Sequence, residues 1–185
     1  MTLWIVLGIA AVLILWIIGT YNGLVKSKIK IDNSWSDISV FLKKRFDLIP
    51  NIVSTVKGYA AHESQTLEKV IQARNAAVAV PSGDVAGQVA ANQVLGGAMR
   101  GLLAIAESYP DLKANAQFLE LQQTLQSIEG ELSNSRRYYN ATVRDYNTSV
   151  QQFPGVIIAN FGGFKAREFF ELDNQDEAKN VEVKF

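Results

Sequence analysis

The segment His62-Glu63-Ser64-Gln65-Thr66 begins like the zinc-protease motif H-E-x-x-H, in which two histidines one helical turn apart bind zinc and the glutamate serves as base. Thr66 stands where the second histidine belongs, and the chain holds one histidine in all, so the zinc reading fails. The absence of cysteine excludes thiolate metal sites, iron–sulfur clusters, disulfides and cysteine nucleophiles. A serine or threonine nucleophile needs a base beside it, and His62 would have to serve alone. No G-x-S-x-G is present. Gly96-Gly97 and Gly162-Gly163 lack the Lys-Ser/Thr of a phosphate-binding loop and read as packing or turn glycines. No catalytic or metal site is expected, and no pattern calls for a cofactor.

The remaining chemistry is electrostatic. The 185 residues carry 18 basic and 18 acidic side chains, a balance that argues against nucleic acid as a partner, because such binding relies on neutralising phosphates. The first charged side chain is Lys26, followed by Lys28 and Lys30 and then by Lys43, Lys44 and Arg45. One reading is a solvated helix face paired with Asp37, Asp47 and Glu63. The other is attraction to anionic lipid, which fades within a Debye length. Lys26, Lys28 and Lys30 lie close enough to a bilayer for that role, whereas residues 43–45 stand about 25–30 Å further along a straight helix.

The uncharged head supplies the bilayer. Residues 3–21 begin with Leu3, Trp4 and Ile5 and end with Trp16, Ile17, Ile18 and Tyr21. As a helix they span about 28 Å, close to the ~30 Å of hydrocarbon in a membrane, with aromatic rings near both interfaces. A cleaved signal peptide would need a basic leader, a shorter apolar run and an A-x-A site, and none is present. Lys and Arg concentrate after the anchor, so the positive-inside rule places the following residues in the cytoplasm and the N-terminal tip outside.

Everything after the anchor has helical periodicity. Ile31, Trp35, Ile38, Leu42, Phe46 and Ile49 recur at intervals of three and four. Pro50 is expected to kink or end that helix. Ile52, Val56, Tyr59, Leu67, Val70, Ile71 and Ala77 continue the spacing, which places His62 and Glu63 on a polar helix face. Residues 80–84 form a turn, with Ser82 or Asp84 available as N-cap. Residues 85–106 are rich in Ala, Gly and Leu, and close helix approach would offset the roughly 1 kcal/mol that each interior glycine costs. After Tyr109-Pro110-Asp111, the residues Leu112, Ala116, Leu119, Leu125, Ile128, Leu132, Tyr139, Val143, Tyr146 and Val150 form a stripe on one predicted helix. Asn140-Ala141-Thr142 and Asn147-Thr148-Ser149 match glycosylation acceptors in form only, since a cytoplasmic helix gives them no such use.

The expected fold is therefore all-α: an N-terminal transmembrane helix, residues 1–25, then an elongated antiparallel bundle of three to four long helices, residues 26–172, and a polar tail, 173–185. Residues 153–164 are apolar and uncharged, and too short to cross a membrane. They either fold back, burying Phe153, Ile157 and Phe161, or form an exposed surface with Phe164 that meets lipid or a neighbouring subunit.

An ordered set of residues resembles the LemA family over residues 21–170. It comprises Tyr21-Asn22, Leu24-Val25, Trp35, the run Leu42-Lys43-Lys44-Arg45-Phe46-Asp47-Leu48-Ile49-Pro50-Asn51, Val56-Lys57-Gly58-Tyr59, His62-Glu63 and Ala73-Arg74. Glu107-Ser108-Tyr109-Pro110-Asp111-Leu112-Lys113-Ala114-Asn115, Phe118, Leu121, Leu125, Glu129, Arg136, Tyr139-Asn140, Tyr146-Asn147, Phe153-Pro154 and Phe169-Phe170 complete it. The resemblance implies a bacterial protein with an N-terminal membrane helix and a cytoplasmic helical domain, and brings no recognised active site.

Two functions fit these features. One is a non-enzymatic scaffold at the cytoplasmic membrane that contacts lipid and self-associates as a homo-oligomer, in envelope organisation or membrane shaping. The other is an accessory subunit for a membrane protein partner such as a protease or transporter, with binding residues Lys44, Arg45, His62, Glu63 and Arg74.

Overall fold

The computed structural model describes residues 1–170, so the polar tail expected at 173–185 lies outside the described residues. The described chain is helical throughout: α1 (Thr2–Tyr59), α2 (Ser64–Ala79), α3 (Val85–Glu107), α4 (Pro110–Lys113), α5 (Ala116–Gln151) and α6 (Gly155–Gly162). Four of these are long and two are short, which is the all-α architecture that the periodicity predicts.

The boundaries differ from the sequence expectation in three places. Pro50 neither ends α1 nor stands near its end, since the helix continues to Tyr59. The lost hydrogen bond costs about 3 kcal/mol. It is offset because Ile49, Ile52, Val53 and Val56 are all buried around it while the proline ring faces outward. The helix stops instead after Tyr59, where Glu63 N–H bonds to the Ala60 carbonyl at 3.1 Å, so His62 sits in a turn and not on a helix face. The stripe read from Leu112 onward is interrupted as well. Asn115 Oδ1 accepts from the Phe118 N–H at 2.9 Å and starts α5 afresh, which buries Phe118 and leaves Leu119 exposed.

Two compact units divide the described chain, with the division falling inside α1 and inside α5. The first comprises Met1–Lys44 and Ser127–Phe169. Its core takes Leu24, Ile31, Ile38 and Leu42 from α1, Leu132, Tyr139, Val143, Tyr146 and Val150 from α5, and Ile158 and Ala159 from α6. Trp35 packs on Tyr139 with ring centroids 5.5 Å apart. The buried hydroxyls of Ser34 and Thr142 meet at 3.2 Å. Each also lies 2.8 Å from a carbonyl of its own helix, so one can donate to the other while the second donates to its backbone, and no proton is stranded.

The second unit comprises Arg45–Gln126 and, among the described residues, Phe170. Phe46, Ile49, Ile52, Val53 and Val56 of α1, Leu67, Val70, Ala73 and Ala77 of α2, Leu95, Met99, Leu102 and Ala106 of α3, and Leu112 and Phe118 form its core. Asp84 caps α3, accepting from the Gly87 N–H at 2.8 Å. Close helix approach does not explain the interior glycines Gly96, Gly97 and Gly101 of α3. A Cβ at Gly96 would stand 3.6 Å from the Arg45 guanidinium, and at Gly97 and Gly101 it would meet nothing nearer than 4.0 and 3.9 Å. With Thr66, Ala73, Val94 and Ala98, Gly97 and Gly101 instead line an open apolar groove between α2 and α3.

Candidate functional site

The apolar head of α1 is bare. Residues 2–19 are all exposed, and none of the apolar window is buried inside the protein. Its one interior hydroxyl, Thr20, donates to the Trp16 carbonyl at 3.0 Å, so the helix meets its own polar needs, as a lipid environment requires. Leu3, Trp4, Ile5, Trp16, Ile17, Ile18 and Tyr21 are all exposed, whereas Leu24, one turn after Tyr21, enters the core. Lys26, Lys28 and Lys30 follow on the exposed surface, the last with its ammonium 5.5 Å from the Tyr138 ring centroid. By length and composition α3 would also suffice to cross a membrane, but Leu95, Met99, Leu102 and Ala106 give it a buried face within its unit.

The bare segment ends where α6 begins to matter. A Cβ at Gly155 would lie 2.1 Å from the Ser149 carbonyl oxygen, so only glycine lets α6 start against the last turns of α5. Gly163, with φ 69°, closes α6 in the left-handed region, and the Phe164 N–H bonds back to the Ala159 carbonyl at 2.9 Å. The Phe164 ring then stands edge-on to Tyr21, centroids 5.4 Å apart and planes at 71°. Beyond it residues 165–169, outside any helix, return along the bundle. Arg167 pairs with Asp32 at 2.7 Å, both main-chain groups of Arg167 bond to the Asn147 amide, and the Tyr139 hydroxyl donates to the Glu168 carbonyl at 3.0 Å.

This anchoring decides which face of α6 is covered. Gly155, Ile158 and Ala159 are buried, whereas Ile157 and Phe161, one turn apart on α6, are exposed, Phe161 at 90%, as is Phe153 (79%) in the turn just before α6. The fold-back expected for this segment therefore occurs, but the side chains expected to be buried by it are the ones left outside. The sequence offers Phe153, Ile157 and Phe161 at intervals of four, but the start of α6 at Gly155 against the Ser149 carbonyl, together with that anchoring, leaves the opposite face, Ile158 and Ala159, buried.

The residues assigned to partner binding differ in exposure and in the contacts they make. Arg45 is 4% exposed, with Nη1 3.5 Å from Asn92 Oδ1. It stands seven residues after Ile38 and seven before Ile52, both buried, a signal that its basic neighbours conceal. Lys44 is exposed, with its ammonium 5.2 Å from the Phe41 ring centroid. His62 is exposed in its turn. Glu63 accepts from the Tyr109 hydroxyl at 3.3 Å, and Arg74 donates from Nε to the Phe46 carbonyl at 3.3 Å. Partial burial, followed by the negative charge of Glu63 and the hydrogen bond to it, raises the Tyr109 phenol above its ordinary pKa. Among the described residues no three His, Asp or Glu side chains come together.

The LemA family profile matches residues 34–185. The chain belongs to the LemA family. It is 25% identical over 175 residues to magnetosome protein MamQ 1 of Paramagnetospirillum magneticum, covering 82% of this chain and 64% of that one. It is 24% identical over 174 residues to magnetosome protein MamQ of Magnetospirillum gryphiswaldense, covering 81% and 64%. To protein LemA of Metamycoplasma hominis it is 26% identical over 163 residues, covering 84% and 74%. The chain thus spans 64% of the length of the magnetosome proteins it matches. LemA membership and the bare apolar helix together indicate a membrane-associated helical protein. The α6 face lies within the LemA match, and the whole of the apolar head precedes it.

Proposed function

We propose that this chain is a single-pass, membrane-anchored helical scaffold of the bacterial cytoplasmic membrane, which self-associates or organises partners there and performs no catalysis. The observation that carries the reading is the bare apolar helix that continues without interruption into a packed core at Leu24. A chain so built is confined to a plane, and confinement raises the effective concentration of every copy, so weak lateral contacts suffice for assembly. Relatives named for the magnetosome, a structure and not a reaction, support a structural role. The basic residues after the anchor favour helical units in the cytoplasm and an N-terminal tip outside.

The test is the mass of the full chain in nanodiscs or detergent, by light scattering, with electron-microscope imaging of its shape. A discrete homo-oligomer is expected, and a monomer at every concentration would remove self-association from the reading. Because the chain has no cysteine, Thr2→Cys and Lys28→Cys give unique labels for topology. A membrane-impermeant maleimide added to spheroplasts should reach the first and not the second, and the reverse pattern would invert the topology.

A further inference from the structure

We propose that α6 lies in the interfacial layer of the bilayer that α1 crosses, with Phe153, Ile157 and Phe161 seated among lipid chains and headgroups. The proposal rests on the reading that the apolar head of α1 spans a membrane, and it adds a second, separate contact with lipid. Its first support is height. Phe164 touches Tyr21, the last residue of the apolar run, and a cleft joins Phe153 and Gly155 to Thr20 and Leu24 on α1. Thr20 to Leu24 covers about 6 Å of helix axis, comparable with the polar layer on one side of a bilayer, about 5–8 Å thick. Interfacial helices seat their apolar faces about 5–10 Å into this zone.

Chemistry is the second support. No charged side chain occurs between Asp145 and Lys165, and the exposed face of α6 carries Ile157 and the Phe161 ring, with the exposed Phe153 ring in the turn just before it. Lys165 follows directly after Phe164, and Lys26 and Lys28 lie exposed just beyond the cleft on α1, where anionic headgroups would be met. A second copy could also cover such a face, but lipid is the neighbour already present at that height once α1 spans. Continuity with the anchor thus assigns the face to the bilayer.

Full-length Phe161→Cys, labelled with an environment-sensitive fluorophore, tests this in vesicles of phosphatidylcholine and phosphatidylglycerol. Phe161 is 90% exposed, so its replacement disturbs no core, and unchanged circular dichroism verifies the fold. The expected result is blue-shifted emission, most of it lost to lipids bearing a nitroxide near the ester end of the acyl chain, with little quenching by aqueous iodide. Strong iodide quenching without nitroxide quenching overturns the proposal. So does shielding from both quenchers that grows with the protein-to-lipid ratio, which would mark a second copy as the occupant. Leu13→Cys, labelled alike, reports the span itself: quenched by deep nitroxides while F161C is not, it shows that α6 alone was misplaced. Leu13→Cys unquenched would sink both readings.

Discussion

The Asn147 side chain engages both main-chain polar groups of Arg167, donating from Nδ2 to its carbonyl at 2.9 Å and accepting at Oδ1 from its N–H at 2.8 Å. A segment outside any helix has no helical partner for these groups, so the amide of α5 supplies one. The return path of residues 165–169, and with it the placement of α6, depends on this pair.

Asn147→Ala should therefore cost about 1–3 kcal/mol, the expense of leaving partly buried backbone groups unpaired. The segment would come loose, and trypsin should cut after Lys165 or Arg167 much faster than in the parent. Unchanged cleavage and an unchanged melting temperature would show that the ion pair of Arg167 with Asp32 suffices alone.

Two glycines should respond to alanine with opposite signs. Gly130 lies inside α5 with open space around it, so Gly130→Ala should stabilise by up to about 1 kcal/mol through helix propensity. Gly155→Ala must push its Cβ away from the Ser149 carbonyl, 2.1 Å distant, and should lower stability and shift α6. Chemical denaturation of both variants in detergent gives the comparison.

Neighbouring cations should differ just as sharply. Lys44→Glu changes an exposed position and should alter stability by no more than about 0.5 kcal/mol. Arg45→Glu would place a carboxylate in the core beside the Asn92 amide oxygen and should cost several kcal/mol, roughly the 3–5 kcal/mol of a broken buried charge interaction. Arg45→Met, of similar length and apolar, should avoid most of that loss. Equal effects of both reversals on unfolding would contradict the buried position of Arg45.

Tyr139 and Tyr146 are the alkaline sensors of the first unit. Burial, the leading cause for both, raises each phenol above the ordinary value of about 10, with Arg167 acting in the opposite direction. The neutral phenols are favoured by folding, so their contribution is complete below pH 10, and it is lost as pH rises through the higher folded-state values. Absorbance at alkaline pH should show exposed tyrosines ionising first and these two ionising late, together with the loss of helix signal. Simultaneous ionisation of all six tyrosines before any unfolding would count against their burial.

Much of the architecture is legible in the residues because its cause is local. An uncharged apolar run as long as a bilayer is thick reads as a spanning helix, and the stripes of α1, α2 and α5 follow from the 3.6-residue period. What failed were positions where local preference and burial compete. Pro50 is a helix breaker overruled by the buried side chains around it, and Arg45 is a surface type of residue caught in the buried stripe.

By itself, then, the sequence determined that the chain is helical, headed by an apolar run long enough to cross a membrane, and free of cysteine chemistry, all properties set by composition and short-range spacing. Tertiary structure alone decided that α6 stands beside Tyr21 and which of its faces is covered. Those outcomes depend on contacts between residues distant in the chain, such as Asn147 with Arg167 and Tyr21 with Phe164, that no periodicity encodes.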